Sequence, residues 1–189
     1  MPTDALAQYL QDHLAGSVAA LQLMETLADQ ERGTPLEPKL RALHTEVSEE
    51  QEGIRTLLAR LDGEESRLKQ AAAWLTEKMH VARLALAERS HPALARLQGL
   101  ESLALGLQGK LALYRALEQA ATREPKLGGY PFAALQARTL SQHGMIEQER
   151  MAAAREALES PTVGADESGE RAANSRAASP DRPSGPVGS

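Results

Sequence analysis

A chain of 189 residues with 42% hydrophobic content can hold one domain with a substantial core. Its apolar stock is mostly alanine and leucine against one Trp, one Phe and three Tyr, a balance that favours packed helices over a sheet. A net charge of -5 spread over both signs, with no concentrated Lys/Arg stripe, argues against a nucleic-acid surface, and the absence of cysteine excludes disulfides, thiolate metal sites and cysteine nucleophiles.

The opening MPTDALAQYLQDHLAG is charged and broken by polar residues within its first turns, the pattern of neither a signal peptide nor a membrane span. A cytoplasmic protein is expected. Apolar residues then recur at helical spacing in five segments. The first covers residues 3–31, with Thr3 as N-cap and Leu6, Leu10, Leu14, Val18, Leu21 and Ala28 on one stripe. Gly33, Pro35 and Pro38 force a turn. The second covers 37–61 through Leu40, Leu43, Val47, Ile54, Leu57 and Leu61, and stops at Asp62 and Gly63. The third, 65–89, carries Leu68, Ala72, Leu75, Met79, Ala82 and Leu86, and SHP at 90–92 ends it because a residue before proline is pushed out of helical geometry. The fourth, 92–122, uses Leu94, Leu97, Ala104, Leu111 and Tyr114; EPKLGGYP breaks the chain; the fifth, 131–159, runs through Phe132, Leu135, Ile146 and Ala153. Residues 160–189 hold two valines as their only large apolar side chains among Gly, Pro, Ser and Ala, so they are expected to remain a disordered tail beside a folded domain at 1–159. Helices of this length, on the order of 40 Å each, joined by short breaks, predict an antiparallel bundle.

The chemistry-bearing candidates are polar residues close to the core stripes. His13 lies beside Leu10 and Leu14, Glu50 between Val47 and Ile54, Gln108 after Ala104, and His143 between Thr139 and Ile146. Counted from the helix ends, these four fall near one level, which predicts a buried polar layer. Two imidazoles and one carboxylate would suit a single zinc or iron ion. The preferred reading is an internal hydrogen-bond cluster without metal, because a buried carboxylate and imidazole satisfy each other. Glu101 falls on the same helix as Gln108 but near the opposite end. Gly99, Gly106 and Gly109, in the same helix, are expected to mark close helix approach. His44, His80 and His91 have no strong ligand group one turn away and read as solvated or capping residues. The acidic run HTEVSEEQE reads as a solvated helix face. No glycine-rich phosphate loop and no serine in a nucleophile elbow occurs.

The stretches YLQDHLAG and GLQGKLALYRAL resemble uncharacterised bacterial proteins of the ferritin-like superfamily. The resemblance implies an all-α, five-helix bundle in which the segment SRLKQAAAWLTEKMH stands in the place of the family's crossover. Members that bind two irons carry a carboxylate at mid-helix on two helices and Glu-x-x-His on the other two. Here the middle of the first helix is Ser17 and Val18, Gly53 stands three residues after Glu50, Gln108 is an amide, and Leu140 stands three residues before His143. Both Glu-x-x-His motifs are broken. The sequence therefore predicts a non-enzymatic bundle with a binding or structural role and no cofactor, with a metal-dependent oxidase or iron or zinc storage protein as the rival. A homodimer is compatible with it. Membrane attachment through the Trp74 helix is disfavoured, since Lys69, Glu77, Lys78 and Arg83 form no one-sided basic face.

Overall fold

The computed structural model describes residues 2–62 and 91–159; the helix expected over 65–89, with Trp74 and His80, and the expected tail at 160–189 lie outside the described residues. The described chain is all helical, with no strand: α1 is Pro2–Gln30, α2 Leu36–Asp62, α3 Pro92–Ala120 and α4 Phe132–Leu158, with a short 3-10 turn at Pro125–Leu127 before α4. α1 begins at Pro2, one residue before the expected start at Thr3. α3 begins with Pro92 at its first position after an extended His91 (φ -125), the place where proline costs no hydrogen bond. Gly33 takes φ 83 in the turn between α1 and α2, and its N–H donates to Glu37 Oε2 at 2.7 Å, closing that corner.

Each helix forms because apolar residues recur at alternating steps of three and four, and the buried sets follow that rhythm. In α2 the series is Leu36, Leu40, Leu43, Val47, Ile54, Leu57 and Leu61; in α3 it is Leu97, Leu100, Ala104, Leu107, Tyr114 and Leu117, each series with one gap of seven. Of the expected α3 stripe, Leu97, Ala104 and Tyr114 are buried and Leu94 and Leu111 half-buried, while Leu100, Leu103, Leu107 and Leu117 join them in the core.

The core divides into two clusters. One joins the end of α1 (Met24, Leu27, Ala28), the start of α2, the first half of α3 and the end of α4 (Ile146, Ala153). The other joins the start of α1 (Ala7, Leu10), the end of α2, the end of α3 and the start of α4 (Phe132). Helix directions follow from this sharing. α1 and α4 run one way, α2 and α3 the other, so the end of α2 and the start of α3 lie at opposite ends of the bundle.

Of the three glycines expected to mark close approach, only Gly99 does so: a Cβ there would stand 2.9 Å from Leu27 Cδ2, whereas at Gly106 and Gly109 it would meet nothing within 4 Å. Gly99→Leu should therefore cost about 1 to 3 kcal/mol through overpacking. Gly106→Ala should stabilise by up to about 1 kcal/mol through helix propensity. Urea midpoints of the two variants should move in opposite directions.

Candidate functional site

The two apolar clusters are separated at mid-height by polar residues placed at core positions on all four helices. Continuing the alternating steps through the gap between the clusters lands on Ser17 in α1, Glu50 in α2, Lys110 in α3 and Thr139 and Gln142 in α4. Glu50, Gln51, Thr139 and Gln142 are buried. Glu50 is the centre: its side chain is 3% exposed, and Lys110 Nζ donates to its Oε2. The Tyr114 hydroxyl approaches the same oxygen at 3.4 Å, and Gln142 Nε2 donates to Oε1 at 3.2 Å. Lys110 also donates to Gln142 Oε1 at 2.5 Å, and Gln142 Nε2 reaches Glu46 Oε2 at 2.8 Å. This amide orientation is the only one that works, since the reverse would press an NH₂ against an ammonium and an oxygen against two carboxylates. Arg138 NH1 stands 3.8 Å from Glu50 Oε1 at the solvent edge. On the α1 side, Gln51 Nε2 donates to Ser17 Oγ at 2.7 Å.

Burial pulls the Lys110 ammonium below its ordinary pKa, and the charge of Glu50 pushes back. Tyr114 is shifted upward by burial and by the Glu50 carboxylate, so its hydroxyl remains a donor. The arrangement is a buried cation held by a carboxylate and an amide oxygen.

The four residues singled out in the sequence are placed as follows. Glu50 lies in the layer. Gln108 and His143 bond to each other, Nε2 to Nε2 at 3.2 Å, on the outside of the α3–α4 seam. Gln108 is exposed and His143 half-buried, which corrects the expectation that both face inward. His13 is half-buried, with its ring edge-on to Tyr9 at 4.7 Å, and lines a cavity that Glu50 also lines. No described hydrogen bond or ion pair joins His13, Glu50 and the Gln108–His143 pair to one another. The acidic run beside Glu50 is not wholly solvated, since Gln51 is buried and Glu46 is half-buried.

Lys110, Gln142 and Ser17 were missed, although the three-and-four spacing pointed to each. Gln142 follows Thr139 by three and precedes Ile146 by four, and Lys110 follows Leu107 by three and precedes Tyr114 by four.

A di-iron or mononuclear metal centre requires carboxylates and imidazoles converging on one point. The layer supplies two carboxylates from one helix, Glu46 and Glu50, together with an amide, a hydroxyl and a lysine whose charge opposes a metal ion, so these residues do not fit such a centre. Among the described residues no group of three or more His, Asp or Glu side chains is placed to hold a metal. No helix among them is long and apolar enough to cross a membrane. Comparison with protein-family models, with curated proteins and with solved structures finds no match to this chain.

Lys110→Met should cost up to about 3 kcal/mol, because it removes the close cation and leaves the buried Glu50 carboxylate with only the long edge contact of Arg138 for charge. Adding Glu50→Gln should recover part of that loss, while His143→Leu alone should cost less than about 1 kcal/mol, since it breaks only an exposed pair. Urea unfolding of the three variants checks the order. Separately, burial holds the His13 imidazole below its ordinary 6.5, partly offset by the Asp12 carboxylate. The unfolded chain then takes up that proton first as pH falls, so stability contributed by His13 is complete above 6.5 and declines below it. His13→Asn should flatten this stretch of the stability curve.

Proposed function

We propose that the chain is a non-enzymatic, ferritin-like helical bundle with a binding or structural role, in which the Lys110 ammonium takes the position a metal ion has in the di-iron members. The observation that carries this reading is the seat of Lys110, held at mid-bundle between Glu50 and Gln142. An internal ammonium neutralises the buried carboxylate, so the layer has no unmet demand for a metal cation. The helix directions support the ferritin-like part: with α2 and α3 running the same way, the bundle has the sense of the topologies built with one long crossover. Nothing in the layer supplies a nucleophile with a partner base or a pair of carboxylates poised across a substrate space. The rival role, metal storage or oxidase chemistry, would need ligands that Lys110 now engages.

Elemental analysis of protein purified without a metal-affinity step decides between the two. The expected result is iron and zinc well below one atom per chain, with a thermal midpoint unmoved by chelator. Stoichiometric metal, lost in Glu50→Gln, would overturn the proposal.

A further inference from the structure

The polar layer is closed by charge toward α4 and left open toward α1. Between α1, α2 and α3 lies a cavity of about 230 Å³. Its walls take Val47, Leu103 and Leu107 from one core cluster and Ile54 and Leu113 from the other, and Glu50, Lys110 and Tyr114 border it. Three glycines inside helices also line it, Gly16, Gly106 and Gly109, and a Cβ built on any of them would meet no atom within 4 Å. Glycine weakens a helix relative to alanine. At Gly99 the crowding of Leu27 accounts for that cost, and at these three no neighbour does. What the missing side chains leave is space beside the layer.

The polar groups around this space define what fits it. Gln51 is 5% exposed and lines the cavity. It spends its Nε2 on Ser17, and its carbonyl oxygen accepts no hydrogen bond from any described residue. That oxygen is free to accept, so an occupant that brings an N–H or O–H is met there, whereas one without a donor displaces water from it and gives nothing back. Lys110 is already engaged by Glu50 and Gln142, and the charge left over at the cavity is the carboxylate of Asp12, which disfavours anions.

We infer that this cavity is a binding site for an uncharged, largely apolar molecule of about two fused rings carrying one hydrogen-bond donor, with the donor seated on the Gln51 carbonyl. The size follows from the volume, since an apolar cavity of about 150 Å³ accommodates benzene. The inference rests on the binding role proposed above and gives it a ligand class, and it is independent of the metal analysis that tests that role.

Calorimetric titration of the full chain with 2-naphthol tests it, with 2-methylnaphthalene, which lacks the donor, and 2-naphthoate, which is an anion, as comparators. Expected are one 2-naphthol per chain, bound about tenfold more tightly than 2-methylnaphthalene, the value of one hydrogen bond, and no measurable binding of 2-naphthoate. Gly109→Leu, which fills the space, should abolish binding without lowering the thermal midpoint. Gln51→Leu should bind the two uncharged compounds equally, a change that loss of packing alone would not produce. The inference fails if neither uncharged naphthalene binds up to its solubility limit. It fails equally if Gly109→Leu binds as the unmodified chain does, or if 2-naphthoate binds as tightly as 2-naphthol.

Discussion

One buried carboxylate, Glu50, constrains the rest of the molecule. A charged group whose side chain is 3% exposed is tolerated only where other residues meet both its charge and its lone pairs. Here the cation comes from α3, the amide from α4 and a hydroxyl again from α3. The pair is weak evidence for stability, because desolvating two ions offsets most of their attraction. Its effect lies in discrimination. A slip of α3 by one turn past α2 would move Lys110 about 5.4 Å along the axis and strand the carboxylate, whereas leucine against leucine would lose little in the same slip.

That discrimination matters most where the helices are least intimately packed. α2 and α4 are joined across the bundle chiefly by polar side chains: Gln142 to Glu46 and Glu50, and Lys39 to Glu149 at 2.5 Å. At one end of the bundle Arg96 bridges Glu31, 3.0 Å away at the end of α1, and Glu156, 2.9 Å away on α4. At the other, Lys126 Nζ donates to the Leu61 carbonyl at 3.2 Å and so satisfies one of the free carbonyls at the end of α2. The apolar clusters supply the driving force for association, and these directional ties select which faces meet.

Much of this was legible in the sequence. The four described helices fall within a residue or two of the segments read from periodicity, because Gly33, the prolines near it, His91-Pro92 and the LGGYP break punctuate the chain where the structure does. A polar level at mid-bundle and Glu50 within it could also be read from spacing. The rest of the layer was lost through the choice of residue types. A search for metal ligands selects histidines, and His143 and Gln108 each sit one position past the residue that faces inward, Gln142 and Leu107. A one-residue step turns a helix by about 100°, enough to exchange a buried face for an exposed one. Lys110 was passed over because lysine is usually solvated, yet its four-carbon stem lets the ammonium reach a buried acid from a helix that otherwise presents leucine. The contact between Gly99 and Leu27 left a sequence trace, but nothing in the chain distinguishes it from Gly106, whose Cβ position is open.

α1 stands apart in how it meets this layer. α2, α3 and α4 are tied through Glu50 by charge, while α1 offers Ser17, which Gln51 holds by one neutral hydrogen bond. Around it the chain is HLAGSVAALQL, and across residues 13–23 none is fully buried, although the ends of the helix are anchored by Ala7 and Leu10 on one side and by Met24, Leu27 and Ala28 on the other. Small side chains opposite Glu50, Lys110 and Tyr114 cannot fill the width that those longer groups require between the helices, and the cavity is the result. In the middle of α1 Leu14, Ala20, Leu21 and Leu23 pack against the two clusters while only half-buried, so the contents of the gap bear directly on this helix. Whatever fills that gap adds contacts between α1 and the charged core of the other helices, contacts that only the folded state possesses. Filling the cavity would therefore also favour the seating of α1 against the residues that hold the buried charge.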